Sequence, residues 1–404
     1  MSDEGVIVVG AGPVGLTAAL ALRSLDVPVT VVEAGAADRV RPGSRAIFIH
    51  GASMKLLESI HPGLGMELAD YGLIWLTKRT LFRGRELYAR TYPPPQSDLI
   101  PAATSLPQLA TEQLLLTAAR DADVEFVWEQ PVAGVEVRAD GVTIETERGE
   151  ELDAAFVIGA DGARSNVRLS LGIPLEGPRT ENAFVMVDTA EDPDAPLPVE
   201  RIFHYEHPAV GGRNLLFVPF AGHWRVDLQC HSDDDAAAFS GTDGVRNWLP
   251  KVMDAKYADR VTWVSTYVFL QVLAREFADP ARRVLLVGEA AHLFAPFGAR
   301  GLNSGIADAI VAARAIGAAL DASTHEEARA AVTHFAESRR EAAERNRAAS
   351  NEALAHLAPT STGAKVKRRA AALVAPQVES AGRWLDAAPS GPRLGPPDDD
   401  GMQY

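Results

Sequence analysis

Val6–Val9 is an unbroken apolar run of strand length, the pattern of a parallel strand buried on both faces. A glycine-rich turn follows, then an Ala- and Leu-rich stretch, Pro13–Leu25, and a second β-branched run, Val27–Glu33. These read as strand, helix and strand in one β–α–β unit of about 30 residues. Gln108–Asp121 reads as a further helix, with Leu109, Gln113, Leu116 and Ala119 near helical spacing. Three strand runs come next, Val132–Arg138, Val142–Thr146 and Leu152–Ile158. Their hairpin turns are Ala139-Asp140-Gly141 and Glu147–Glu150.

Between Phe184 and Phe269 alternation of apolar and polar residues takes over. The strands predicted there are Arg201–Tyr205, Leu215–Phe220, Trp224–Cys230 and Val261–Phe269, a separate antiparallel lobe. Val284–Val287 returns to the buried parallel pattern, followed by a glycine-rich loop and a helix from about Leu302 to Leu320. The first domain is therefore expected to be discontinuous (1–75, 104–175 and 278–325), with a β lobe at 76–103 and 176–277. Residues 326–388 form a helical region that opens on a long Ala-, Arg- and Glu-rich helix with a solvated face, to about Leu357. The Pro-, Gly- and Asp-rich residues from 389 to 404 are expected to be disordered.

Composition narrows the function classes. The 404 residues are 47% hydrophobic and 23% charged, as in a globular enzyme, and the net charge of −15 leaves no basic stripe for a nucleic-acid backbone. The single cysteine, Cys230, excludes an internal disulfide and a cysteine-built metal site, and fits a cytoplasmic protein. Gly5–Leu22 is the longest apolar run, but Ser2, Asp3 and Glu4 before it carry the wrong charge for a signal peptide. Glycines and Pro13 punctuate it at motif spacing and Arg23 ends it, so no membrane association is expected.

The punctuation is itself chemical. Gly10-Ala11-Gly12-Pro13-Val14-Gly15 follows a strand and opens a helix. Gly10 permits the tight turn, Gly12 lets backbone approach a pyrophosphate, and Gly15 allows close helix–strand packing. Pro13 and Val14 begin the helix whose free N–H groups would face that pyrophosphate. Glu33 ends the second strand, 18 residues beyond Gly15, where a carboxylate holds a ribose 2′-OH. An acid there argues against a 2′-phosphate, so FAD or NAD fits better than NADP.

Two later segments repeat the strand-to-turn-to-helix form. Phe156–Arg168 runs from an apolar strand through Asp161-Gly162 into a helix, which by itself also suits an Asp-Gly turn with Ser165 as helix cap. Val284–His292 carries Gly288-Glu289-Ala290-Ala291-His292, and Pro296–Gly305 is glycine-rich and leads into a helix.

These motifs, in this order, resemble the FAD-dependent aromatic hydroxylases of the p-hydroxybenzoate hydroxylase fold, the group A flavin monooxygenases. The resemblance runs through residues 1–175 and 278–350, and the C-terminal layout is similar to that of the hydroxyphenylpropionate and chlorophenol hydroxylases. It implies an α/β fold: a discontinuous Rossmann-like FAD-binding domain with an inserted antiparallel β substrate lobe and a C-terminal helical segment. It implies non-covalently bound FAD, NADH or NADPH as a transient reductant, and dioxygen that forms a flavin hydroperoxide and hydroxylates a phenolic or other electron-rich aromatic substrate. It further implies cofactor contacts at Arg45, Gln108, Asp161 and Glu289, with Pro296 lining the reacting flavin face. Gly301, Leu302 and Asn303 would open a helix whose N–H groups face the negative charge of reduced flavin. Arg339 and Arg340 lie in a C-terminal helix like the family's own. Two positions depart from the pattern. Glu289 stands where the family has Asp, one methylene further out, and Arg300 replaces a small or amide residue, where a cation can face flavin, substrate or solvent. His292 reads as a structural residue of its motif.

Substrate contacts are less legible. Phe203, Tyr205, Phe217, Phe220, Tyr267 and Phe269 sit in lobe strands, and His204, His207, Arg213 and Arg225 are candidates for an acidic or phenolic group. No residue stands out as a catalytic base. A flavin-dependent reductase or dehydrogenase on the same fold, which does not use oxygen, is the alternative function; a non-enzymatic FAD scaffold is the blandest. A flavin halogenase is disfavoured because the six tryptophans are all isolated. Neither the substrate, the choice between NADH and NADPH, nor the oligomeric state follows from the sequence.

Overall fold

In the computed structural model, which describes residues 5–39, 46–96, 99–138 and 141–391, with backbone alone at 179–182, Val6–Val9 is the middle strand of a five-stranded sheet. The order is Val284–Leu286, Phe156–Gly159, Val6–Val9, Val29–Val32, Glu125–Val127. Every neighbouring pair is parallel, with Val8 opposite both Val31 and Ile158, and Ile158 opposite Leu285. Both faces are covered, which is why these strands are apolar at consecutive positions.

Helix Pro13–Arg23 packs against helix Arg300–Leu320, and helix Gln108–Asp121 covers its flank. The close approach needs small residues. A Cβ on Gly305 would lie 2.5 Å from a Val14 methyl, and one on Gly288 would lie 3.1 Å from Val14. The expected strand Leu152–Ile158 is two strands. Glu151–Ala154 stays in a three-stranded antiparallel sheet, and Phe156–Gly159 enters the parallel sheet, because Ala155 breaks away to bond Gly5.

The second large sheet has seven strands: Val261–Leu270, Arg179–Ala190, His223–Gln229, Arg213–Phe220, Glu200–His207, Thr77–Phe82 and Arg85–Thr91. Its pairs are antiparallel except Glu200–His207 with Thr77–Phe82. Alternation sorts its residues onto two faces. Val185, Val187, Leu215, Phe217, Val226 and Leu228 form a core with Val245, Trp248 and Tyr257. Phe184, Met186, Phe203, Leu216, Asp227 and Gln229 line a cavity on the other face.

The chain then runs through helices His325–Leu357, Thr362–Val374 and Glu379–Ala387. Thr324 and Glu327 form a capping box at the start of the long helix. Disorder was expected from residue 389, yet Pro389 is buried in a turn, Ala388–Ser390, that packs on the long helix; residues 392–404 lie outside the described residues. Among the described residues no helix is long and apolar enough to cross a membrane.

Candidate active site

Three strand-to-helix junctions meet at the C-terminal edge of the parallel sheet. Gly10 has φ of +103°, and a Cβ there would sit 2.6 Å from the Ala160 carbonyl oxygen. A Cβ on Gly15 would overlap the Gly10 carbonyl, so the third glycine is required by the loop's own packing. Gly12 is the N-cap of helix Pro13–Arg23, with no side-chain cap and no acid in the first turn. The amide donors there remain for an anion. Glu33, expected at a ribose, is 6% exposed and engages backbone. Its Oε2 accepts from the Ala11 N–H at 2.7 Å and its Oε1 from the Gly35 N–H at 2.9 Å. Arg39 closes the same corner, donating to the Ala11 carbonyl at 2.7 Å and lying 5.2 Å over the Trp128 ring.

At the second junction the turn and cap are both formed. Ser165 Oγ accepts from the Arg168 N–H at 2.9 Å, and Asp161 Oδ2 from the Val167 N–H at 3.1 Å. Asp161 Oδ1 is buried with no hydrogen-bond partner, and burial pushes the carboxyl pKa up despite those bonds. It is an acceptor in need of a donor. Arg168 Nη1 donates to the Ala290 carbonyl at 3.0 Å and so ties this junction to the third.

At the third, Gly288 has φ of +58° and Glu289 is exposed, with no partner among the described residues. His292, expected to be structural, is buried against Asp308 at 2.6 Å, and Asp308 also accepts from Arg339 and from the Gly288 N–H. Arg340 pairs instead with Glu344 on the helix surface.

In the glycine loop, the exposed Pro296 gives its carbonyl to the Ala299 N–H at 2.9 Å. Ala299, in the left-handed region, precedes a helix that starts at Arg300, one or two residues earlier than expected, with no side-chain cap and no acid in its first turn. A Cβ on Gly301 would meet nothing, and Leu302 is half-buried beside it. The Asn303 side chain is spent on the fold. It accepts from the His50 N–H at 3.0 Å and donates to the Phe48 and Ala299 carbonyls. Arg300 is turned away from solvent, 5% exposed, donating to Asn346 at 3.1 Å and to the Ser390 carbonyl at 3.3 Å. Gln108 likewise binds protein, accepting from the Ala46 N–H at 3.0 Å and donating to Glu112 at 2.8 Å. Arg45 lies outside the described residues. Two uncapped helix N-termini, an orphaned Asp161 oxygen and the open space at Gly301 fit a dinucleotide such as FAD. The residues that would hold it are Gly12, Val14, Asp161, Glu289, Gly301 and Leu302.

Beside this groove lies a cavity between the seven-stranded sheet and the glycine loop. Phe184, Met186, Phe203, Phe269 and Phe297 form its apolar walls, and Pro296, Gly298, Pro389 and Ser390 close one side. Phe297 stands edge-on to Phe184 and Phe269, with centroids at 5.5 and 5.7 Å. The polar side chains of Arg201, Asn214, Asp227 and Gln229 interrupt the walls. All of these but Asp227 are engaged. Arg201 pairs with Asp386 at 3.4 Å, and Asn214 donates to Gln229 at 2.7 Å. Asp227 Oδ1 is buried without a partner.

Of the lobe residues expected to meet substrate, Phe203 and Phe269 line the cavity, and Tyr267 stacks on Phe269. Phe217 belongs to the opposite face, Phe220 stacks on His223, and the Tyr205 hydroxyl donates to the Leu385 carbonyl at 2.7 Å. The four candidate cations are occupied by the fold. His204 accepts from the Gly84 N–H, His207 caps a turn, Arg213 pairs with Asp234, and Arg225 holds Asp188 at 2.8 and 2.9 Å.

The same elements recur in known proteins. A 6-methylpretetramide 4-monooxygenase of Streptomyces rimosus is 29% identical over 317 residues, 75% of this chain and 54% of its own. A 3-(3-hydroxy-phenyl)propionate/3-hydroxycinnamic acid hydroxylase of Mycobacterium avium is 28% identical over 327 residues, 76% and 53% respectively. The chain thus spans about half the length of the curated relatives it matches. The crystal structure of p-nitrophenol 4-monooxygenase from Pseudomonas putida superposes with a TM-score of 0.78 at 24% identity, over 98% of this chain and 100% of that one, and shows the same fold. The family model for the FAD binding domain matches residues 3–350, from the first strand to the long C-terminal helix, and the chain belongs to that family.

Proposed function

We propose that the protein is an NAD(P)H- and O2-dependent flavoprotein monooxygenase that hydroxylates a phenolic or other electron-rich aromatic compound. The observation that carries this reading is the aromatic-walled cavity set against the glycine loop, with Pro296, Phe297 and Gly298 in common. FAD would supply hydride acceptance from NAD(P)H and the activation of dioxygen. The chain supplies the rest. The amides at Gly301 and Leu302, uncapped at a helix N-terminus, stabilise negative charge brought against them. Phe184, Phe269 and Phe297 hold a planar ring by edge-to-face contact and keep water from it. The monooxygenase and hydroxylase names of the relatives support the same reading. The buried, single Cys230 suits a reducing cytoplasm. The test is NAD(P)H oxidation and oxygen uptake across a panel of phenols. Turnover stimulated by a phenol supports the reading. Oxidation of NAD(P)H with reduction of an alkene and no oxygen uptake would replace it with a reductase.

A further inference from the structure

Resting on that reading of the cavity as the substrate pocket, we infer that Asp227 is the group that receives the ring hydroxyl of the substrate, and that the pocket selects an aromatic hydroxyl donor over an aromatic carboxylate. Strand His223–Gln229 is central in the seven-stranded sheet, and alternation sends Trp224, Val226 and Leu228 to the apolar core and Asp227 and Gln229 to the cavity. In register Asp227 lies between Met186 and Leu216, both of which line the cavity. A carboxylate between two apolar side chains costs free energy unless a donor reaches it. Oδ1 is buried with no partner, and no described residue donates to Oδ2.

The other polar groups of the wall narrow the ligand. Arg201, the only cation lining the cavity among the described residues, already holds Asp386, which also accepts from Thr80 at 3.1 Å. A substrate carboxylate would have to displace that pair and sit near a second negative charge. A hydroxyl brings Asp227 the donor it lacks. As the ring is attacked, the phenolic O–H bond breaks, the proton passes to a carboxylate oxygen of Asp227, and the electron pair remains on the ring oxygen. No electron is gained or lost by the protein, and the ring becomes richer in electrons where the chemistry needs it.

Asp227 is poised for the exchange. Burial raises its carboxyl to about 7 against the opposing pull of Arg225, with Asp188 adding to the rise. The charged and titratable groups around it, among the described residues, are Arg225 on its own strand, Asp188 and Tyr267 on the strands to one side, and Arg201 two strands away toward the other edge of the same sheet. Strand Arg213–Phe220 lines the cavity with Asn214, Leu215 and Leu216, and Pro296–Gly298 and Pro389–Ser390 add no titratable side chain.

The experiment titrates phenols and their matched methyl ethers and benzoates into the FAD-loaded protein, followed by calorimetry and by the flavin absorbance band, for wild type, Asp227→Asn and Asp227→Ala. Wild type is expected to bind phenols about ten- to a hundred-fold more tightly than the ethers. Asp227→Ala should lose that preference, and Asp227→Asn should retain part of it. Wild-type preference should fall as the pH drops through 7, while that of Asp227→Asn stays flat; unchanged FAD content and circular dichroism show that the variants fold. Equal binding of phenols and ethers by wild type, an undiminished preference in Asp227→Ala, tighter binding of benzoates, or no phenol bound at all would overturn the inference. A preference lost with Asp227 but accompanied by no oxygen uptake would leave Asp227 its role and remove the monooxygenase reading instead.

Discussion

Asp308 Oδ2 stands 2.6 Å from His292 Nε2, and its Oδ1 accepts from Arg339 Nε at 2.9 Å, in a spot where all three residues are 1% exposed. The Gly288 N–H completes the set. One carboxylate therefore fixes the turn that presents Glu289 to the long C-terminal helix. Arg339→Ala would leave that charge buried and short of a partner, and should destabilise the fold by about 3–5 kcal/mol. Urea unfolding would measure it.

The same group makes a pH prediction. Burial alone would raise the Asp308 carboxyl, but His292 and Arg339 outweigh it and hold the group below its ordinary value of 3.8. A folded pKa below the unfolded one contributes stability above pH ~4, which is lost as the pH falls through the folded value. Wild type should lose stability as the pH falls below ~4, and an Asp308→Asn variant, less stable at pH 7, should lose less over that range. Parallel acid titrations of circular dichroism decide it.

Helix crossing at Val14 predicts a packing cost. Gly305→Ala places a methyl 2.5 Å from the Val14 side chain, beside Gly288. Overpacking there should cost about 1–3 kcal/mol and weaken FAD retention, since Val14 opens the fingerprint helix. Gly301→Ala, which adds a methyl in open space, should fold normally and reveal itself only in cofactor affinity.

Glu289 carries the departure from the family pattern and has no protein partner among the described residues. If its carboxylate accepts from the ribityl chain, Glu289→Ala should lose FAD affinity by about tenfold or more, and Glu289→Asp should be near neutral. Equal affinity of wild type and Glu289→Ala in titrations of FAD into the apoproteins would assign Glu289 to solvent.

The apolar strands of the parallel sheet and its three junctions were legible because each junction couples an unbroken apolar strand to glycines whose spacing the local geometry demands, as at Gly10 and Gly15; the short edge strand Glu125–Val127 was not. Hairpin Thr77–Phe82 with Arg85–Thr91 was not, because it is rich in Lys, Arg and Glu, and its turn rests on Arg83 and Gly84 at positive φ rather than on a familiar Asn-Gly pair. Asp227 escaped notice for a different reason. Arg225, Asp227 and Gln229 alternate with Trp224, Val226 and Leu228, so the polar face was written in the sequence, but only the register shows which member lacks a partner. Histidines and arginines drew attention as potential ligands, and nearly all proved to be bound into the fold. Glu33, Gln108 and Asn303 show the reverse: read from the sequence as cofactor contacts, they have side chains that hold backbone beside the groove.

The proposed activity is oxygen transfer to an aromatic ring. The most direct measurement supplies the FAD-loaded protein with NAD(P)H, a phenol that stimulates turnover and dioxygen labelled with the heavy oxygen isotope, and weighs the product by mass spectrometry. One labelled oxygen atom in the hydroxylated ring, with stoichiometric NAD(P)H oxidation, is the predicted result. A product without label, or NAD(P)H consumed with an unaltered phenol under every aromatic tried, would contradict it.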